Sequence, residues 1–312
     1  MYKEILEGLF DQNRITSEDE KNSYLKSLQN SALYLWKSYR NNYFNVDYSS
    51  RNTQEAYVIR YFPSYSDLIY PELKAKHTVI KFTGTKINCS LFGAGPCPEV
   101  YGVIKFIKEF HIQTEKLNFI SFDKISKQWE NTRNITINNL IRPNWEATNL
   151  KINNCYFDLI YPISSYNVGS LKSFNKLMGN STLIVFQNFL NEINLRKNNI
   201  NVYYNIVHIY NHLSKGALMI FIEVSGYNIE VSNLLINIQE NIQRLNLKYI
   251  LELFCSSDPI FKNSNIAPPL ITKDYKANAL NLNIPEILQS NFFNNNLFPK
   301  NIIGYESLIL RR

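Results

Sequence analysis

The chain has 312 residues, enough for two domains or for one large α/β domain with an appendage. With 45% apolar and 19% charged residues it can bury a core, which excludes a disordered tail, and its net charge of +7 is scattered, which suits a mildly basic solvated surface and permits an anionic partner without requiring one. The cysteines (Cys89, Cys97, Cys155 and Cys255) form no Cys-x-x-Cys pair, which argues against a zinc ribbon or a thioredoxin-type site and fits a reducing, cytoplasmic setting.

Met1-Tyr2-Lys3-Glu4 is charged from the start, unlike a signal peptide. No apolar stretch reaches the roughly 18 residues of a membrane span, so no membrane association is expected. Residues 1–77 read as a helical cap or lid. Tyr24, Leu25, Leu28, Ala32, Leu35 and Trp36 recur at helical spacing. Asn52-Thr53 suits the cap of a second helix with Gln54 and Glu55 in its first turn, running through Ala56–Phe62 to Pro63. A short helix is expected after Ser64, through Leu68, Ile69 and Tyr70. Tyr57 and Tyr61 share a helical face with Arg60 beside them and Tyr65 following. These residues suit either ordinary helix packing or a lid that closes on a ligand, with Arg60 meeting a carboxylate.

From residue 78 short apolar runs alternate with helical stretches, the pattern of a doubly wound, mostly parallel sheet. Seven strands are expected, at 88–93, 117–122, 148–152, 182–187, 217–223, 249–254 and 305–311. Helices are expected at 99–110, 127–133, 169–178, 198–213 and 229–244. The last two strands lack a clear helix between them, which fits an antiparallel last strand. In this fold class ligands bind at the carboxyl ends of the strands, where strand order reverses.

The first strand ends in Gly93-Ala94-Gly95-Pro96-Cys97-Pro98-Glu99. Two glycines one residue apart let the backbone turn tightly and approach a ligand. No Gly-Lys-Ser/Thr follows, so a P-loop is excluded. Pro96 and Pro98 remove two amide donors and Glu99 adds a negative charge, which disfavours a pyrophosphate and favours a ligand with a cationic or zwitterionic part. This turn resembles motif I of the class I S-adenosylmethionine-dependent methyltransferases. Leu91 stands where that family carries an acid, and Cys97 where it carries a third glycine.

The resemblance implies S-adenosylmethionine as cofactor, with Gly93, Ala94, Gly95, Pro96 and Glu99 as binding candidates. Asp123 ends the second strand, 123 − 95 = 28 residues after Gly95, where the family's acid holds the ribose hydroxyls. An ordinary helix-capping aspartate is the alternative. Asp158 and Leu159, beyond the third strand, match the residues that meet adenine, and a loop carboxylate is the alternative there. After the fourth strand Gln187, Asn188, Asn191 and Glu192 cluster where the family faces methyl donor and acceptor, or they form a cap and a solvated face. The candidate catalytic residues are Glu192, Asn188 and Tyr57. Arg60, Tyr61, Tyr65 and Asn191 are the candidate substrate contacts.

The loop Cys255–Asp274 is a candidate substrate wall. His208 and His212, four apart on a helix, lack a third ligand, so no metal is expected. The expected reaction is methyl transfer to nitrogen or oxygen of a small molecule or peptide. RNA is an alternative acceptor, permitted by the net charge and by a loose likeness of the helix over Tyr57–Tyr65 to the region before motif I in mitochondrial ribosome-associated methyltransferase-like proteins. A methyltransferase-like fold that binds or assembles without catalysis is the other alternative, prompted by Leu91 and Cys97.

Overall fold

A computed structural model describes residues 1–40, 46–78, 80, 82, 84–145, 149–190, 200–224, 235–244, 270–278, 283–293 and 302–312. The N-terminal part is helical: α1 (Tyr2–Asn13), α2 (Glu18–Ser27), α3 (Gln29–Arg40), α4 (Arg51–Arg60), α5 (Phe62–Tyr65) and α6 (Ile69–Ala75). Ser17 opens α2 with a reciprocal capping box to Glu20. Helix α4 begins at Arg51 after Ser50, two residues earlier than the Asn52-Thr53 signal suggests. Thr53, Gln54 and Glu55 are instead buried, where Glu55 accepts hydrogen bonds from Tyr24 (2.8 Å), Arg51 (2.8 Å) and Asn13 (3.2 Å). These residues serve tertiary contacts rather than the cap. Pro63, in the first turn of α5, separates it from α4 at Tyr61.

The sheet strands are β1 (Lys86–Phe92), β2 (Lys116–Asp123), β3 (Leu150–Tyr156), β4 (Leu183–Gln187), β5 (Leu218–Val224), β6 (Leu270–Asn278) and β7 (Ile302–Arg311). Their order is β3-β2-β1-β4-β5-β7-β6. Strands β1 to β5 pair in parallel, and β7 runs antiparallel to both β5 and β6. Helices α7 (Pro98–Phe110), α8 (Glu130–Ile135), α9 (Arg142–Asn144), α10 (Val168–Gly179), α11 (Ile200–His212) and α12 (235–244) connect the strands.

The expected strand at 249–254 lies outside the described residues. So does residues 255–269 of the expected substrate wall, while Leu270–Asp274 belong to β6 at the edge of the sheet. Pro268-Pro269 reads as loop in the sequence, and pairing with β7 makes the following residues a strand. A short helix, α13 (Glu286–Asn291), also lies between β6 and β7, where none is evident from periodicity.

One apolar cluster joins the buried faces of α1–α6 to α7 and one face of the sheet; a second lies on the other face under α10 and α11. At the carboxyl end of the central strands four phenylalanines form a ladder. Phe122, Phe92, Phe186 and Phe221 stack in that order, with centroids 4.8, 4.7 and 4.8 Å apart and planes within 15°. The strand spacing of roughly 4.8 Å sets that stacking distance. Each ring pair adds about 0.5–1.5 kcal/mol beyond area burial. The ladder makes a rigid floor under the turns that follow these strands. Among the described residues no helix is long and apolar enough to cross a membrane.

Candidate active site

Strand order reverses between β1 and β4, and the turns after β1, β2, β3 and β4 surround a cleft of about 940 Å3, part of it open to solvent. The glycine turn forms one wall. Gly93 (φ +66°) and Gly95 (φ +48°) both occupy the left-handed region that glycine enters without steric cost. A methyl group on Gly93 would lie 2.0 Å from Cδ2 of Phe189, so this position also needs the missing side chain. Cys97, where the family's third glycine stands, is left-handed too (φ +61°), which costs a non-glycine residue about 1–2 kcal/mol. Helix α7 then starts at Pro98.

The turn is held from behind. Nε of the buried Arg133 donates to the Gly95 carbonyl at 2.9 Å, and Oγ1 of Thr136 donates to the Pro96 carbonyl at 2.8 Å. Arg133 also donates to the Ser126 carbonyl at 3.1 Å, tying the turn after β1 to the one after β2.

Asp123 and the glycine turn meet directly. The Gly95 amide donates to Oδ2 of Asp123 at 3.2 Å, and the Ile125 amide donates to Oδ1 at 2.8 Å. Burial pushes the Asp123 carboxyl up, against the opposing pull of both amides and of Arg133. Each carboxylate oxygen keeps a second lone pair, so two ribose hydroxyls can still be accepted. Asp158 also lines the cleft, its Oδ1 accepting from the Ile160 amide at 3.0 Å. Leu159 is buried beside it, its carbonyl accepting from Asn205 at 2.8 Å.

Gln187 ends β4. Its Nε2 donates to the Tyr65 carbonyl at 2.9 Å, fastening the N-terminal helices to the strand end. Asn188 is left-handed (φ +52°), so no helix runs through it, and the expected shared face with Asn191 and Glu192 does not form at this residue. Its Oδ1 instead accepts the Val224 amide at 3.0 Å, which gives Asn188 a part in holding β4 against β5. Asn191 and Glu192 lie outside the described residues. Glu223 accepts the Phe189 and Leu190 amides (3.2 and 2.9 Å) and anchors the start of that loop.

Three polar atoms on this cleft are buried without a hydrogen-bond partner: Oε2 of Glu99, Oε1 of Gln187 and Nδ2 of Asn188. Orphaned polar atoms are uncommon in folded proteins, and three sharing one cleft mark it as a place for a polar ligand. Burial pushes the Glu99 carboxyl up to about 8, and the nearby Asp123 charge adds to the rise. The other titratable groups around it are the Cys97 thiol, raised to about 11 by burial, and Arg133, whose charge acts on Cys97 and Asp123.

An acid held above its unfolded value of 4.5 loses stability for the fold as pH rises from there to about 8, and the loss is complete above that. Glu99→Gln is therefore expected to melt higher than the parent near pH 8, by an equivalent of roughly 1–3 kcal/mol, with the difference vanishing near pH 4.5. Melting curves across that range check it; parallel curves would remove the buried, protonated Glu99.

The N-terminal helices supply Tyr57 and Tyr65 to the cleft, together with Val46 and Tyr48. Tyr48, Tyr57 and Trp129 pack as a corner of rings, with centroids 5.5, 5.7 and 5.9 Å apart. Arg60 and Tyr61 do not line it. Tyr61 is buried and packs edge-on to Tyr39 at 5.0 Å, and the Arg60 guanidinium lies 5.2 Å over the Tyr61 ring. Tyr61 still packs against Tyr57 and Tyr65, with ring centroids 5.4 and 5.6 Å away, but from behind the cleft wall.

Trp129, Tyr48, Lys124, Ile125, Phe157 and Phe189 are cleft residues that sequence reasoning missed. Only Phe157, beside Asp158, carried a signal of position. His208 and His212 stack on each other, and no cluster that could hold a metal occurs among the described residues.

No family model and no curated protein matches the chain. Solved structures that it resembles include phosphoethanolamine N-methyltransferase 2 of Haemonchus contortus in complex with phosphomonomethylethanolamine and S-adenosylhomocysteine, at 10% identity and TM-score 0.42, over 88% of this chain and 60% of that one. Another is an O-methyltransferase family protein from Burkholderia thailandensis, at 10% identity and TM-score 0.32, over 68% of this chain and 55% of that one. The plantazolicin methyltransferase BpumL in complex with S-adenosylhomocysteine matches at 11% identity and TM-score 0.38, over 92% of this chain and 99% of that one. The chain thus spans less than two thirds of the first two of these proteins. In strand order, antiparallel seventh strand, glycine turn and acid after β2, the chain resembles the class I S-adenosylmethionine-dependent methyltransferases, with a divergent first motif.

Proposed function

We propose that the chain is an S-adenosylmethionine-dependent methyltransferase acting on a nitrogen or oxygen atom of a small molecule or peptide. The observation that carries this reading is the meeting of the Gly95 amide and the Asp123 carboxylate on a cleft that also holds three orphaned polar atoms. That donor set fits the cofactor. Asp123 would take the ribose hydroxyls, Asp158 and the Leu159 amide the adenine edge, and Glu99 and Gln187 offer acceptors to an ammonium where Leu91 replaces the usual acid. When bound, the cofactor supplies an electrophilic methyl group on a sulfonium. The chain's own work is then to position the acceptor in line with that methyl and to keep water out. Tyr57 lines the cleft and is the described candidate for accepting a proton; Glu192 is the other.

Titration of the full chain with S-adenosylhomocysteine tests the reading. Saturable binding at one site is expected, and no heat up to about 1 mM ligand, where binding free energy is only about −4 kcal/mol, overturns it. A non-catalytic binding module is the second reading, favoured by the strained Cys97 and by Asp123 already accepting two amides. Binding without transfer of a labelled methyl group to any acceptor pool would select it.

A further inference from the structure

Gly95 is gripped at both ends by ionisable side chains. Its amide donates to Oδ2 of Asp123 at 3.2 Å, and its carbonyl accepts from Nε of Arg133 at 2.9 Å. Nη1 of the same guanidinium donates to the Ser126 carbonyl at 3.1 Å, in the turn that follows Asp123. Arg133 is thus one planar fork laid across two turns of the cleft, although it does not line the cleft itself. It belongs to a stripe on and beside α8. Trp129, Arg133 and Thr136 stand at i, i+4 and i+7, and they meet the glycine turn at Gly95 and Pro96. Arg133 is 1% exposed, and its Nη2 is buried without a partner. For stability alone that is a costly way to hold a turn, since an apolar side chain of similar volume often serves as well as a buried charge. The charge has another counterpart: it opposes the rise that burial imposes on the Asp123 carboxyl.

We infer that Arg133 is a positioning residue of the cofactor site, whose fork fixes the Gly95 turn against the turn after β2 and whose buried charge complements the Asp123 carboxylate. The inference rests on the methyltransferase reading and adds to it a residue that never touches the ligand. A positive charge behind Gly95 favours the ionised form of Asp123, and an ionised carboxylate accepts two ribose hydroxyls. Removing the charge therefore raises the pH below which Asp123 is protonated and the nucleoside is lost. The other titratable groups around Asp123 are Glu99, Cys97 and Lys124. Burial raises Glu99 to about 8 and Cys97 to about 11, so both titrate above this acid limb.

The test titrates the full chain, from mildly acidic to mildly alkaline pH, with S-adenosylhomocysteine and with 5′-methylthioadenosine, which has the nucleoside but no ammonium for Glu99. Arg133→Met is expected to bind both at least about tenfold more weakly than the parent near neutral pH, with the acid limb moved up by about one pH unit. Arg133→Lys keeps a charge without the fork. It should hold the limb within about half a pH unit of the parent's while affinity stays about threefold or more below it. A residue that only props the fold would lower the melting temperature and leave the limb where it was. A folded Arg133→Met variant with the parent's affinity, or with the parent's limb, overturns the inference. If Arg133→Met does not fold, Arg133→Gln takes its place. If neither folds, Arg133→Lys decides: weaker binding on the parent's limb supports the inference, and any other result overturns it. If S-adenosylhomocysteine does not bind the parent, the methyltransferase reading fails by itself. The Asp123 carboxyl, followed by NMR of the ligand-free chain and identified by its loss in Asp123→Asn, then decides the role of the charge: its titration must move up by about one pH unit in Arg133→Met.

Discussion

Asp123→Asn is expected to weaken S-adenosylhomocysteine binding by about 100-fold and to cost the ligand-free fold about 2 kcal/mol. The substitution keeps the shape of the side chain and removes one of its two acceptors. In the parent, Oδ2 receives the Gly95 amide and Oδ1 the Ile125 amide. Whichever way the new amide is turned, its NH2 group faces a backbone N–H, and a buried donor is left without a partner. A hydrogen bond to a charged acceptor is worth about 1.5–3 kcal/mol, and the orphaned donor adds its desolvation. The side chain also loses the charge that, in the proposed reading, accepts the ribose hydroxyls, so the expected loss of affinity exceeds the loss of stability. Calorimetry and thermal melting on the same variant separate the two. A variant that melts lower yet binds S-adenosylhomocysteine within about threefold of the parent would make Asp123 a structural residue only, and the cofactor assignment would fall.

Much of this site was legible in the chain's spelling, because the strands are runs of Ile, Leu, Val and Phe that end on informative residues. Phe92-Gly93, Phe122-Asp123 and Phe186-Gln187 each put a buried ring directly before a turn residue. The in-register parallel pairing Phe122↔Phe92↔Phe186 brings those three turns together. What was not legible depends on tertiary packing. Trp129 reads as one residue of a short helix, and its place in the cleft comes from facing Gly95, where a methyl group would lie 3.2 Å from Cε2 of the indole. Tyr48 sits between two helices and is placed by Gln54, whose Nε2 donates to its carbonyl at 2.6 Å while its Oε1 accepts from Thr132 at 3.2 Å. The Tyr57–Tyr61–Tyr65 spacing does bring the three rings together, but Tyr61 is buried against Tyr39, a contact with another helix, so Tyr57 and Tyr65 line the cleft and Tyr61 does not. Asn188 read as a helix-face residue because its left-handed backbone is set by the Ile222 carbonyl, which accepts its amide at 2.8 Å, a contact 34 residues away in the chain.

Gly93→Ala is expected to cost about 3 kcal/mol or more, which lowers the melting temperature by roughly 6 °C or more. Two separable effects add. The left-handed backbone at φ +66° costs about 1–2 kcal/mol for any residue with a Cβ. The new methyl would also sit 2.0 Å from Cδ2 and 2.5 Å from Cγ of Phe189, far inside van der Waals contact. That ring has little freedom to retreat. It stacks on Phe186 at 6.3 Å, and its own amide is held by Glu223 at 3.2 Å. Displacing it costs about 1–3 kcal/mol, as overpacking of a fixed core does. Pairing the change with Phe189→Ala isolates the second effect, because removing the ring relieves the clash and leaves the backbone strain. The double variant should therefore be more stable than the sum of the two single changes by about 1–3 kcal/mol. Strict additivity would mean that the methyl and the ring never meet, and a Gly93→Ala variant that melts with the parent would mean that the turn after β1 does not approach the loop after β4.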